Sequence, residues 1–256
     1  MDREQLRRLH DLTGRVAIVT GGTRGIGLAI AEGFVAAGAS VVVASRKPDA
    51  CAETEAHLRK MGGEAIGVAT HMGDTGAINA LVDRTVDAFG RLDIVVNNAA
   101  NALTLPFGEL TEEAWEKSLG TNLRGPVFLV ERALPHLTAS GNAAILNVVS
   151  AGAFLFSPYT AMYAAAKAGL MAMTRSMAAN FAEKGIRVNA LAPGTVDTDM
   201  VRANSAERVE RMHNAAFMRR AAHPDEMVGP ALLLCSDAGS FITGQVVIAD
   251  GGLTPH

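Results

Sequence analysis

The sequence predicts an α/β fold: one doubly wound parallel sheet of about seven strands with helices on both faces. Two observations carry this. Short, continuously apolar, β-branched segments alternate with longer helical ones, and strands without polar alternation are buried on both faces, as in parallel sheets. The first apolar segment also runs directly into a glycine-rich turn that opens a helix, and such a helix N-terminus can receive a phosphate.

The first residues, 1–13, form a charged, helix-prone extension without the apolar core of a signal peptide. A single domain is expected over 14–256. Strands are predicted at 15–20, 40–44, 65–69, 92–97, 143–149, 186–191 and 245–249. Helices are predicted near 26–37, 49–61, 75–89, 111–138, 160–183 and 224–235, with Asp74 as the cap of the third. The segment 195–220 follows a strand and reads as a substrate lid that includes Met200.

Composition narrows the function classes. With 49% hydrophobic residues and a net charge of −3, the chain lies outside the disordered regime and has no bulk attraction for nucleic acid or anionic membranes. No apolar run reaches the ~18 residues of a membrane span. A cytoplasmic protein with neither a nucleic-acid nor a membrane partner is expected. Cys51 and Cys235 lack metal-ligand spacing and read as small core hydrophobes, so no metal is expected.

The turn after the first strand reads Thr20-Gly21-Gly22-Thr23-Arg24-Gly25-Ile26-Gly27. Glycine is needed where backbone turns sharply and approaches a pyrophosphate without an intervening Cβ. Farther along, Tyr163 precedes Lys167 by four residues in an Ala- and Met-rich stretch, which places both on one helix face. A nearby ammonium is expected to lower the tyrosine pKa and suit the phenol to proton transfer. Ser150 closes the fifth strand, 13 residues before Tyr163. The chain has only two tyrosines, and Tyr159 lacks a lysine at the same spacing, so it reads as a neighbour in the cleft.

Thr-Gly-x-x-x-Gly-Ile-Gly resembles the fingerprint of the short-chain dehydrogenase/reductases, NAD(P)-dependent oxidoreductases on a Rossmann fold. Asn97-Asn98-Ala99-Ala100 resembles their Asn-Asn-Ala-Gly, with Ala100 for the glycine. Pro193-Gly194-Thr195-Val196-Asp197-Thr198 resembles their Pro-Gly-x-Ile-x-Thr. The resemblance implies that Tyr163 is the acid/base and that Ser150 binds the substrate oxygen. It also implies that Lys167 holds the nicotinamide ribose and Asn122 kinks a helix and orders a relay water. Cofactor contacts are implied at Gly21, Thr23, Arg24, Gly25, Ile26, Gly27, Asn98, Ala99, Ala100, Tyr163, Lys167, Pro193, Gly194, Val196 and Thr198. His71 and Met72 stand where the family places an acid and a small residue against the adenine.

The second strand ends in Ser45-Arg46-Lys47. An acid there would bond the ribose hydroxyls of NAD, whereas these side chains and Arg24 suit a 2′-phosphate. NADP(H) is therefore the expected cofactor.

The leading expectation is reversible interconversion of a small-molecule ketone and a secondary alcohol. Phe154, Leu155, Phe156 and the 103–107 segment suggest an apolar cleft. A 3-oxoacyl-carrier-protein reductase is the alternative, with Arg124, Arg175, Arg219 and Arg220 as candidate docking cations. A non-catalytic NADP(H) sensor is a third reading, one that would not need Ser150, Tyr163 and Lys167 together. A homotetramer, or a homodimer, is expected from the resemblance and from the Ala/Met-rich faces of 160–183.

Overall fold

A computed structural model describes residues 1–156 and 159–254, so the predicted domain's residues 157–158 and 255–256 lie outside the described residues. The chain begins with helix α1 (Arg3–Arg8), capped by Asp2, whose side chain accepts from the Gln5 N–H. There follow β1 (Val16–Thr20), α2 (Gly25–Ala36), β2 (Ser40–Ser45), α3 (Pro48–Lys60), β3 (Ala65–Ala69), α4 (Thr75–Phe89) and β4 (Ile94–Asn97). The second half contains α5 (Glu112–Leu119), α6 (Gly125–Ser140), β5 (Ala143–Val148), α7 (Ala161–Phe181) and β6 (Ile186–Pro193). It ends with α8 (Asp199–Arg202), α9 (Ala206–Asn214), α10 (Val228–Cys235) and β7 (Val246–Ala249).

The seven strands form one sheet in the order β3-β2-β1-β4-β5-β6-β7, and each paired set runs parallel. Successive side chains leave a strand on opposite faces. Val41 and Val43 accordingly join Ile30, Phe34 and Leu234 in one core layer. Val42 and Ala44 join Leu81, Leu129 and Phe181 in the other. Both faces are covered, so the strands are mostly apolar, and the polar side chains they carry at Thr20, Asn97, Asn147 and Asn189 are buried. The strand order reverses between β1 and β4, and ligands of such sheets bind at that switch point, beyond the carboxyl ends.

Three boundaries differ instructively from expectation. The predicted helix 111–138 is two helices joined by a π-helical turn, Gly120–Arg124. β6 runs on to Pro193. Its pairing with β5 ends at Leu191, which accepts from the Val149 N–H, so a residue without an N–H fits at its end. The predicted lid holds two short helices, α8 and α9, the latter capped by Ser205. Asp74 caps α4 as expected, accepting from the Gly76 and Ala77 N–H groups at 2.8 and 3.2 Å. Cys51 and Cys235 are both buried, and burial pushes the Cys235 thiol up to about 12.

Candidate active site

At the end of β1 the chain is held open by its glycines. Gly21 and Gly25 adopt positive φ angles of 65° and 54°. A Cβ on Gly27 would lie 2.3 Å from the Gly21 carbonyl oxygen and 2.4 Å from Asn98 Nδ2. The loop therefore packs backbone to backbone, and Thr23 and Ile26 are half-buried beside it. Asn98 braces β4 to this loop, its Nδ2 donating to the Thr20 and Gly21 carbonyls at 2.9 and 3.3 Å. Thr20 Oγ1 accepts from the Asn98 and Ala99 N–H groups, a part the sequence reading missed. Ala99 and Ala100 are half-buried. Ala99 is small enough to lie under Gly21, where a Cβ would come 2.9 Å from the Ala99 Cα. The first-turn N–H groups of α2 have no acceptors within the helix. The dimensions and free N–H groups of this thin cradle would fit a pyrophosphate.

Cationic side chains ring the same end. Ser45 is half-buried, and Arg46 and Lys47 are exposed beyond it. Arg24 reaches α8, with Nη1 3.6 Å from an Asp199 carboxylate oxygen. Thr198 touches the loop, since a Cβ on Gly25 would stand 3.0 Å from its Cγ2. His71 is exposed and its Nδ1 accepts from the Gly73 N–H at 3.0 Å, while Met72 is buried beneath.

On the other side, Pro193 pairs with Ala249, and Gly194 approaches Asp250 so closely that a Cβ would fall 2.7 Å from its Cα. Val196 forms a parallel bridge to Ala222 built from the Thr195 carbonyl and the Asp197 N–H. In that pattern Val196 turns its own N–H and C=O away from Ala222. The bridge clasps the segment 195–220 where it leaves and rejoins the body.

Ser150, Tyr163 and Lys167 converge at the end of β5. Ser150 Oγ accepts from the Gly152 N–H at 3.0 Å and is hydrogen-bonded to Tyr163. Lys167 is buried, donates to the Val148 carbonyl at 2.7 Å and lies over the Tyr163 ring, 5.7 Å from its centroid. Burial pushes Lys167 down to about 8. Tyr163 departs from expectation. Burial raises its pKa, and the bond from Ser150 only partly offsets that. The ammonium is committed to the Val148 carbonyl, so desolvation, not the neighbouring charge, decides the direction.

Asn122 is fully buried in the π-helical turn, and its amide is spent on the loop after β4. Oδ1 accepts from the Asn101 N–H at 3.0 Å, and Nδ2 donates to the Asn101 carbonyl at 2.8 Å. Asn101, which the sequence reading did not single out, carries no local signal for this pairing. The loop it begins is stapled again where the Leu105 N–H donates to the Tyr159 carbonyl at 2.9 Å. Of the expected cleft residues, Phe154 is half-buried, while Leu155, Phe156, Phe107 and Tyr159 are exposed.

Residues 21–254 match the family model described as enoyl-(acyl carrier protein) reductase. The chain is 35% identical over 250 residues to human dehydrogenase/reductase SDR family member 4, covering 96% of this chain and 90% of that one. It is 39% identical over 241 residues to cis-4-hydroxycyclohexanecarboxylate dehydrogenase of Sinomonas cyclohexanicum, covering 94% and 96%. Among solved structures, the 3-oxoacyl (acyl-carrier-protein) reductase of Agrobacterium tumefaciens C58 with NADP bound superposes with a TM-score of 0.90. That match has 35% identity and covers 96% of this chain and 97% of that one.

Proposed function

The chain belongs to the short-chain dehydrogenase/reductases, oxidoreductases of alcohol and carbonyl groups that use a nicotinamide cofactor, and from that premise we propose that it reversibly reduces a small-molecule ketone to a secondary alcohol with NADP(H). The convergence of Ser150, Tyr163 and Lys167 on the end of β5, beside the glycine cradle, carries this reading. Bound NADPH would supply the hydride equivalent, and solvent the proton, so that ketone, NADPH and H⁺ become alcohol and NADP⁺.

The chain's own residues supply binding and proton transfer. Ser150 directs a hydrogen bond at the substrate oxygen. Tyr163, kept protonated by burial, donates to the forming alkoxide and takes the proton back in the oxidative direction. Lys167 holds the nicotinamide ribose, and Asn122 orders the relay through its main chain in the π-helical turn, its side-chain amide being held by Asn101. Gly21, Gly25 and Gly27 let the backbone approach the pyrophosphate. Asn98, Ala99 and Ala100 leave room beside it, and the 193–198 segment seats the carboxamide. Ser45, Arg46, Lys47 and Arg24 favour the 2′-phosphate, because paired cations and a hydroxyl suit a dianion where an acid would repel it. The 195–220 segment acts as the lid, and a homotetramer remains the expected assembly.

Following NADPH and NADH oxidation against a panel of ketones, diketones, quinones and sugars tests the reading. An NADH preference overturns the cofactor assignment. Tyr163→Phe should lower turnover by about 10²–10⁴-fold with NADPH binding near normal, and wild-type turnover in that variant refutes the acid/base role.

The similarity to a 3-oxoacyl reductase favours a second reading, in which the ketone arrives on an acidic carrier protein. Two of the expected docking cations are otherwise engaged: Arg220 is paired with Glu226, and Arg124 donates to the Gly73 carbonyl. Arg175 and Arg219 are exposed. Comparing carrier-linked with free 3-oxoacyl substrates separates the two readings.

A further inference from the structure

The π-helical turn reaches three walls of the site through successive residues. Asn122 clasps Asn101 in the loop after β4. Leu123 packs on Gly169, two residues past Lys167, where a Cβ would stand 3.2 Å from its Cδ2. Arg124 turns the other way, and its Nη2 donates to the Gly73 carbonyl at 2.9 Å. Gly125 then backs directly onto the same loop, for a Cβ there would come within 2.1 Å of the Met72 oxygen.

Gly73 is thereby held at both of its backbone groups, its N–H by His71 Nδ1 and its C=O by Arg124. The following residue, Asp74, caps α4. This short loop leaves the carboxyl end of β3, beside the Ser45–Lys47 edge, and the Thr70 N–H donates to the Ser45 carbonyl at 2.7 Å. A dinucleotide straddles the switch point of a doubly wound sheet. With Ser150 and Tyr163 on the β5 side, its adenosine end falls on the β2 and β3 side, against this loop.

We propose that Arg124 is a positioning residue for cofactor binding, acting through Gly73 and His71 to hold the loop after β3 against the π-helical turn. This rests on the reading of the site as a nicotinamide-dinucleotide site. A loop ordered before binding loses less conformational entropy when the ligand arrives. Its rigid backing is also the turn that contacts the catalytic helix, so both ends of the dinucleotide are seated against one body. Although partly exposed, the Arg124 guanidinium is engaged by the Gly73 carbonyl. Its nearest acid, Glu116, is 3.8 Å away, and its side chain is 49% exposed.

The test is binding without turnover, using NADPH fluorescence titration and calorimetry with 2′,5′-ADP, the adenosine half of the cofactor. Arg124→Ala should weaken both ligands by the same factor, about three- to tenfold. Its melting temperature should stay within about 2 °C of wild type, and Arg124→Lys, which keeps one donor, should recover most of the loss. Unchanged 2′,5′-ADP affinity in Arg124→Ala overturns the inference. So does a loss that follows the melting temperature down and is not rescued by lysine. A wild-type protein that binds neither ligand overturns the cofactor reading itself, and this inference with it.

Discussion

Lys167→Met isolates what it costs to keep an ammonium at the end of β5. Burial lowers the Lys167 pKa from 10.5 to about 8, a depression worth about 3 kcal/mol at 1.36 kcal/mol per unit. Folded-state depression of a lysine means that the unfolded chain binds more protons between the two values, so stability rises with pH across that window. At pH 7 both states are charged and the penalty is present in full. Methionine is similar in length and carries no charge, but it leaves the Val148 carbonyl without its 2.7 Å donor, at about 1–3 kcal/mol. The two effects offset, and the variant should be as stable as wild type at pH 7 or up to about 2 kcal/mol more stable, while losing most of its turnover. Urea unfolding at about pH 7 and about pH 9.5 measures this. Wild type should gain about 2 kcal/mol relative to the variant over that interval. Parallel pH dependences, or a variant less stable by more than about 2 kcal/mol at pH 7, would refute the reasoning.

Other perturbations address α8, the sheet and α7. Asp199→Asn releases Arg24 from its 3.6 Å contact; the pair is exposed, so NADPH affinity should rise only by up to about threefold at low salt and not at all at high salt. Fluorescence titration reads the change, with NADH as the insensitive control. Asp93 is fully buried and accepts from Arg91 and the Val16 N–H; Asp93→Asn should cost about 2–4 kcal/mol in urea unfolding near neutral pH. Although burial opposes its ionisation, bonds from Arg91, Ser140 and Val16 lower its pKa below 3.8, so its contribution is present above that value and should fade as pH drops through the folded pKa. Thr174→Val strips the acceptor from Asn147 Nδ2 at 2.9 Å and should cost about 1–3 kcal/mol, whereas Thr174→Ser, which keeps the hydroxyl, should cost less than about 1 kcal/mol.

Most of the strand and helix pattern was legible because two-sided burial makes the strands mostly apolar and because glycine turns such as Gly21–Gly25 sit where a β-strand meets a helix. The glycine cradle, Ser150, Tyr163 and Lys167 were legible for the same reason: spacing along one strand end or one helix face is a local property. The π-helical turn was legible only through the resemblance, which implied a kink at Asn122, and not through the local pattern. Gly120–Arg124 continues the helical periodicity on both sides, and what distinguishes it is the amide of Asn122 clasping Asn101, 21 residues earlier in sequence. The direction of the Tyr163 shift was also hidden. Spacing places the lysine near the phenol, but only the packed structure shows its ammonium bound to a carbonyl and the phenol desolvated. Arg124 offered a charge without an address, and its turn toward Gly73 depends on how α6 meets the loop after β3.

Helix α7, which carries Tyr163 and Lys167, presents a further question of register. α7 is rich in Ala and Met on several faces, and such a helix gains little orientational preference from burial alone. Sliding it by one turn, about 5.4 Å, would carry Tyr163 away from Ser150 while exchanging one small apolar contact for another. Polar contacts oppose that slide. Lys167 donates to Val148, and seven residues later Thr174 accepts from Asn147, the adjacent residue of β5. Asn147 in turn accepts from Asn97 of β4 at 2.9 Å, so the helix is keyed to β5 and, through it, to β4 at the switch point. Each bond is buried, and breaking it would strand a polar group in the core at about 1–3 kcal/mol. Two such keys, spaced two helical turns apart on neighbouring strand residues, admit only one register. The buried amides and hydroxyl therefore set the position of Tyr163 against Ser150, which the apolar packing of α7 leaves undetermined.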